Sequence, residues 1–97
     1  MEKESLKQLI ENNNLVLVDF YATWCGPCKR MHPVLDSLKQ EMGDSIRIAK
    51  IDIDTHPDLV EQHRIQSVPT LMLFRNGQLE WRESGGMSLE QLKARIS

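Results

Sequence analysis

Two cysteines, Cys25 and Cys28, flank Gly26 and Pro27 in the stretch WCGPCK, and the chain has no other cysteine. Such a close pair can be a dithiol that cycles to a disulfide, half of a zinc site, or a small structural disulfide. Two cysteines are too few for the disulfide-rich framework of a small secreted domain. Because the spacing alone leaves three kinds of site open, the chemistry of the pair depends on the elements around it.

The residues on either side of the pair predict a strand followed by a helix. Residues 15–22 form an apolar run interrupted only by Asp19, which is typical of a buried strand. A helix is predicted to start near Cys28, with an apolar face made of Met31, Val34, Leu35, Leu38 and Met42. Cys25 then lies at the helix N-terminus, where free N–H groups and the helix dipole favour an anion. Because a thiolate is the nucleophile in disulfide exchange, this position activates Cys25, which we expect to be an exposed attacking sulfur, and Cys28 faces the same side.

The whole chain predicts the element order α-β-α-β-α-β-β-α. Residues 5–12 and the segment after Ser88 are helical, and Ser5 with Gln8 and Ser88 with Gln91 match the capping box. Further strands are predicted at 46–53, 70–75 and 78–83, with a short helix ending near residue 62 and an Asn76-Gly77 hairpin turn. Strands separated by helices are expected to be parallel, and the hairpin adds an antiparallel edge. We therefore predict an α/β fold in one domain, residues 1–97, with a central four-stranded mixed sheet flanked on both faces by four helices.

Composition and charge exclude several classes of function. The net charge is −2 and the basic residues are scattered, so nothing draws the chain to nucleic acid or to an anionic membrane. Apolar runs such as LVLV are too short to cross a bilayer. The stretch MEKESLKQLIENNN lacks the apolar region of a secretory signal. We expect a cytoplasmic protein.

Several segments together resemble the thioredoxin family. VDFYATWCGPCK resembles its active-site segment, and AKIDIDTHP, IQSVPTLMLFRNG and a glycine before the last helix, Gly85, follow in the family's order over about residues 15–97. The resemblance implies a thioredoxin fold and a protein-disulfide reductase. The chain departs from the family in two ways. No strand is predicted before Leu15, where many thioredoxins have one, and Tyr21 stands where tryptophan is common.

The resemblance also implies roles for four residues. Cys25 attacks a substrate disulfide and Cys28 resolves the mixed disulfide. Asp19, a carboxylate in an apolar strand, keeps its proton above the usual pH range and relays a proton to or from Cys28, while Lys50 lies beside it and tunes it. The alternatives are that Asp19 is exposed on a polar strand face and that Lys50 is an ordinary surface lysine.

A substrate-binding rim is the last feature that the resemblance implies. The Val68–Pro69 bond is expected to be cis and to lie against the cysteines, although a trans proline at the start of a strand is the alternative. The rim would dock flexible disulfide-containing segments, and its residues are Trp24, Gly26, Pro27, Ile53, Val68, Pro69 and Gly85. Trp81, in the hairpin, is expected only to pack.

Three rival interpretations remain. A zinc site would use Cys25, Cys28 and His32, but zinc needs three or four ligands and the other histidines have no suitable spacing. The apolar rim of a non-enzymatic module would simply hold a partner. An oxidase or isomerase would reverse the chemistry, although Gly-Pro between the cysteines resembles reducing thioredoxins. We expect a monomer that needs no bound cofactor or metal, acts on disulfide-containing proteins, and is recycled by a flavin- and NADPH-dependent thioredoxin reductase.

Overall fold

The computed structural model describes residues 5–97, so the first four residues of the predicted domain lie outside the described part. The elements are α1 (Leu6–Asn12), β1 (Leu15–Tyr21), α2 (Gly26–Met42), a 3-10 turn (Gly43–Ser45), β2 (Arg47–Asp52), α3 (Pro57–Gln62), β3 (Thr70–Arg75), β4 (Gln78–Ser84) and α4 (Leu89–Ile96). The predicted order α-β-α-β-α-β-β-α is confirmed. Both predicted capping boxes are present, at Ser5 with Gln8 and at Ser88 with Gln91.

The four strands form one mixed sheet in the order β2-β1-β3-β4. β1 pairs in parallel with β2, whereas β3 runs antiparallel to both β1 and β4. The expectation that helix-separated strands are parallel is therefore right for β1 and β2 and wrong for β3. The reason is that β3 is not a neighbour of β2 but lies on the other side of β1, so the connection through α3 is not a crossover between adjacent parallel strands.

Helices cover both faces of the sheet, as predicted. One apolar cluster joins Leu15 and Leu17 of β1 to buried residues of α2 and α4, including Leu35, Leu38 and Leu92. A second cluster joins the alternate residues of β1 to α1 and α3; its members include Val16, Val18, Phe20, Ile10 and Leu59. Because successive strand residues point to opposite faces, β1 supplies both halves of the core. No helix within residues 5–97 has the length and apolar character needed to cross a bilayer.

The β3–β4 hairpin closes the sheet on the side away from β2. Asn76 and Gly77 both have positive φ, 52° and 82°, as a tight turn between antiparallel strands requires. Trp81 on β4 packs against the α2–α4 side of the core. Its Nε1–H donates to the Arg95 carbonyl at 3.0 Å, and the Arg95 guanidinium lies 4.8 Å from its ring centroid. The expected packing role of Trp81 is confirmed.

Substituting Leu38→Ala tests the contribution of the α2 face to stability. Leu38 is fully buried in the core, so the change removes apolar contacts and leaves a cavity. We expect the free energy of unfolding to fall by about 2–5 kcal/mol, measured by urea denaturation. Leu79→Ala is the matched control, because Leu79 is 49% exposed, and its expected cost is less than about 1 kcal/mol. Equal losses from the two variants would contradict this assignment of the core.

Candidate active site

The side chain of Cys25 caps the N-terminus of α2. The Cys28 N–H donates to Cys25 Sγ at 3.2 Å, and Pro27 lies in the first turn, where a missing N–H costs nothing. The helix begins at Gly26, two residues before Cys28, in agreement with the predicted start and with the predicted place of Cys25 at the helix N-terminus. The Cys25 sulfur satisfies a donor that would otherwise be free. This geometry places Sγ at the positive end of the helix dipole, which favours a thiolate.

Cys25 and Cys28 are joined by a disulfide bond, and their Cα atoms lie 5.2 Å apart. Cys28 is completely buried, whereas Cys25 is 6% exposed. The expectation of an exposed attacking sulfur is therefore wrong for this oxidised form, because Ala22, Tyr21, Ile53 and Val68 pack around the pair. Cys25 is nevertheless the more accessible of the two cysteines.

His32, the third residue of the rival zinc site, has a different neighbour. Its ring lies edge-on to the ring of Tyr21, with centroids 5.2 Å apart. The two sulfurs that would bind a metal are bonded to each other. Within residues 5–97, no three His, Cys, Asp or Glu residues are grouped so that they could hold a metal ion.

Asp19 is fully buried in the middle of β1. Neither of its carboxyl oxygens has a hydrogen-bond partner among residues 5–97. Burial raises the pKa of Asp19 from 3.8 to about 6, although the positive charge of Lys50 partly opposes the increase. The structure therefore confirms that this carboxyl holds its proton above the usual range, and it excludes the alternative of an exposed strand position.

Lys50 is the β2 residue directly opposite Asp19 in the parallel register. Its ammonium group does not bond to that carboxyl but lies 3.6 Å from Asp36 Oδ1 on α2. Lys50 thus acts on Asp19 through its charge alone. Asp36 was not identified from the sequence, because it belongs to a helix and Lys50 to a strand, and no local spacing pairs the two residues.

Trp24 stands out at the surface beside the disulfide. It is 67% exposed, which excludes core packing and leaves the indole free to serve as the predicted rim residue. Its Nε1–H donates to Asp54 Oδ2 at 2.9 Å, so a carboxylate from the segment after β2 orients the indole. Asp54 was also missed by sequence reasoning; the only available signal was its place just after a strand that ends near the cysteines.

Of the remaining rim residues, Ile53 and Val68 pack against the cysteines, and Gly26 and Pro27 lie between them. The Val68–Pro69 bond is cis, as expected, and the Val68 carbonyl oxygen lies 3.7 Å from Cys25 Sγ. Gly85, with a φ of 90°, donates its N–H to the Pro69 carbonyl at 2.8 Å. Gly26, Pro27 and Gly85 are exposed and Ile53 and Val68 are partly exposed, whereas Pro69 is buried and adds little surface.

A redox-active disulfide at the N-terminus of a helix, beside a cis-proline loop and on a mixed α/β sheet whose central strand carries a buried carboxyl, defines a thiol–disulfide oxidoreductase. A family model described as Thioredoxin matches residues 1–97, and the chain belongs to the thioredoxin family. It is a thioredoxin-type protein-disulfide reductase that acts by dithiol–disulfide exchange through the Cys25-Gly-Pro-Cys28 motif.

Individual relatives agree with this assignment. A thioredoxin of Acidithiobacillus ferridurans is 43% identical over 86 residues, which cover 89% of this chain and 80% of the relative. The bifunctional thioredoxin reductase/thioredoxin of Mycobacterium leprae (strain TN) is 44% identical over 70 residues, which cover 72% of this chain and 15% of that protein. Among solved structures, the oxidised form of mitochondrial thioredoxin 3 from Saccharomyces cerevisiae has a TM-score of 0.83 at 38% identity, covering 93% of this chain and 84% of that chain.

The raised pKa of Asp19 predicts how stability depends on pH. The pKa of the native carboxyl is about 6, and the ordinary pKa of an unburied aspartate is 3.8, so the native state binds the proton more tightly than the unfolded state. Its stabilising effect is complete below about pH 4 and is lost as the pH rises through 6. We expect the wild-type free energy of unfolding to fall by about 2–3 kcal/mol from this group between pH 4 and 8.

Asp19→Asn removes the titrating group, so the variant should lack this part of the pH dependence in urea denaturation at pH 4, 6 and 8. Asp58→Asn, at an exposed position in α3, is the control that should retain it. An Asp19→Asn profile parallel to that of the wild type would show that Asp19 does not titrate as described.

Proposed function

We propose that Cys25 is the attacking nucleophile and Cys28 the resolving thiol. In the reduced protein the Cys25 thiolate attacks a substrate disulfide, forms a mixed disulfide and releases one substrate sulfur as a thiolate. The Cys28 thiolate then attacks Cys25 Sγ, which releases the second substrate sulfur and forms the Cys25–Cys28 disulfide. The substrate gains two electrons and the dithiol loses them. The observation that carries this assignment is the unequal placement of the sulfurs, with Cys25 at the helix cap and Cys28 buried behind it.

Asp19 supplies the proton transfer that the second step needs. Cys28 loses its proton before it attacks, and a buried thiol gives up a proton reluctantly. A carboxyl with a pKa of about 6 is largely ionised at neutral pH and still close enough to it to accept and return a proton. In this proposal Asp19 takes the Cys28 proton and later passes it to the departing substrate thiolate, with the Lys50 charge adjusting its affinity.

The rim gives substrate binding with little side-chain selectivity. Trp24, Gly26, Pro27, Ile53, Val68 and Gly85 offer a surface with few polar side chains around Cys25, and buried Pro69 shapes the loop behind it. The Val68 carbonyl beside Cys25 Sγ gives an extended substrate segment a main-chain acceptor. We propose that flexible, disulfide-containing protein segments dock here.

A thioredoxin reductase is the proposed partner that restores the dithiol. The Mycobacterium leprae relative is named a bifunctional thioredoxin reductase/thioredoxin, which supports such a partnership. By family resemblance the reductase is flavin- and NADPH-dependent, and this chain itself carries no further cofactor. We propose that residues 1–97 form one monomeric thioredoxin domain that works in the cytoplasm, where reductases keep thiols reduced.

Cysteine variants test the two roles in an insulin-reduction assay with dithiothreitol. Cys25→Ser is expected to show no turnover above the dithiothreitol background, because the nucleophile is gone. Cys28→Ser retains the nucleophile, so it should accumulate mixed disulfides that are visible by mass spectrometry and disappear on reduction. Trapping by Cys25→Ser instead would reverse the assignment, and a wild type without turnover would overturn the reductase function.

Trp24→Ala tests the rim. We expect KM for insulin to rise roughly three- to tenfold, equivalent to about 0.7–1.4 kcal/mol of lost apolar contact, with a much smaller change for a low-molecular-weight aromatic disulfide. Leu79→Ala removes the other large apolar side chain exposed within residues 5–97 and is expected to leave both KM values unchanged. Identical effects of Trp24→Ala on the protein and small-molecule substrates would argue against docking at Trp24.

A further inference from the structure

Lys50 lies between two carboxylates but contacts only one of them. Its position opposite Asp19 in the parallel register puts it next to a carboxyl whose oxygens have no hydrogen-bond partner in the described chain. Its ammonium group instead lies 3.6 Å from Asp36 Oδ1 on α2. The two acids therefore compete for one cation.

We propose that Asp36 is a positioning residue that holds the Lys50 ammonium away from direct contact with Asp19 and thereby sets how readily Asp19 takes up and releases its proton. The inference rests on the proposed role of Asp19 as the proton carrier for Cys28. Asp36 touches neither cysteine in this scheme and acts only through Lys50.

The surroundings of Lys50 leave it free to respond to Asp36. A cavity of about 230 Å³ between α2 and β2 is lined by Leu35, Asp36, Lys39, Arg47, Ile48 and Lys50. The Lys50 side chain is 35% exposed, so packing does not lock it in one position. Lys39 cannot easily take its place, because the Lys39 ammonium already donates to the carbonyls of Gly43 at 2.7 Å and Ile46 at 2.6 Å.

The Asp36–Lys50 ion pair is expected to affect the proton affinity of Asp19 more than the stability of the fold. The Asp36 side chain is 72% exposed, and exposed ion pairs contribute little to folding. Asp19, in contrast, is fully buried, and a charge acts more strongly on a group that is shielded from water. Moving Lys50 should therefore change the proton affinity of Asp19, while global stability changes only by the small amount that this pKa shift itself contributes.

Charged groups other than Lys50 could also affect the titration of Asp19. β3 places apolar Leu71 opposite Asp19. The charged groups of α4 interact elsewhere: Lys93 pairs with Glu41 and feels the charge of Glu90, and Arg95 pairs with Glu83. On the same side of the sheet, the charged residues of β3 and β4 are held by α4: Arg75 donates to the Ile96 carbonyl and Glu83 pairs with Arg95. The titratable or charged side chains of β1, β2 and α2 on this side or in the Lys50 cavity include Tyr21, Arg47, Lys50, Asp52, Cys28, His32, Asp36 and Lys39. Asp36 is the only acid among them that forms an ion pair with Lys50.

The test is a carboxyl ¹³C NMR titration of Asp19 in wild type and Asp36→Asn. Without Asp36, Lys50 is free to approach Asp19 and favour its charged form, so the pKa of Asp19 should fall by about half a unit. Glu41→Gln is the matched control: Glu41 is also on α2, is 45% exposed and pairs with Lys93 at 2.8 Å. It loses the same charge and should leave the titration of Asp19 unmoved.

A Lys50→Met background separates positioning from the direct field of Asp36. If Asp36 acts through Lys50, adding Asp36→Asn to Lys50→Met should shift the titration by less than half of the wild-type effect. An unmoved titration in Asp36→Asn, an equal shift in Glu41→Gln, or a full shift in the Lys50→Met background would each overturn the inference.

Insulin reduction distinguishes the two levels of the proposal. In Asp36→Asn, the acid limb of the pH–rate profile should shift to lower pH by the same half unit. If the wild type reduces insulin but the Asp36→Asn titration and profile are unchanged, only the positioning role fails. If the wild type does not reduce insulin, the proposed function fails, and the NMR titration still reports whether Asp36 controls Asp19.

Discussion

The burial of β1 on every side is the constraint on which the rest of the structure depends. β1 is hydrogen-bonded to β2 on one edge and to β3 on the other, and its alternate side chains enter two separate apolar clusters. Removing so much apolar surface from water is the main favourable contribution to folding. It also fixes the register of β1, because a shift by one residue would exchange the two faces. The position of the strand end is therefore fixed, and with it the position of Cys25 at the N-terminus of α2.

Asp19 is the exception inside this apolar strand, and it links stability to chemistry. An ionised carboxyl without a hydrogen-bond partner is unfavourable in the core, and the raised pKa corresponds to about 3 kcal/mol at neutral pH. That is a substantial part of the typical stability of a small domain, about 5–15 kcal/mol. Burial of the apolar cluster that includes Leu17, Leu35 and Leu71 offsets this unfavourable free energy. The same desolvation brings the pKa of the carboxyl close to neutral pH, where a proton carrier is most effective.

Electrostatics then gives the two sulfurs different surroundings. The N-terminus of α2 and the Cys28 N–H stabilise negative charge on Cys25. Cys28 lies deeper, on the side of the sheet that carries Asp19. In the proposed function its deprotonation depends on that carboxyl, whose pKa is lowered by the charge of Lys50. The Lys50–Asp36 pair extends this arrangement to the protein surface. A charge at the solvent boundary can therefore influence a reaction at a buried thiol.

Much of the fold and half of the site follow from residues that are neighbours in the sequence. The capping box at Ser5, the Asn76-Gly77 turn, the apolar run of β1 and the CGPC motif depend on spacings of a few residues, which a sequence displays directly. Resemblance to a family added the cis bond before Pro69. The direction of β3, the burial of Cys25 and the contacts Trp24–Asp54 and Lys50–Asp36 were decided only by the tertiary structure. Each of these depends on how separate strands and helices pack, and packing brings together side chains that no local pattern relates.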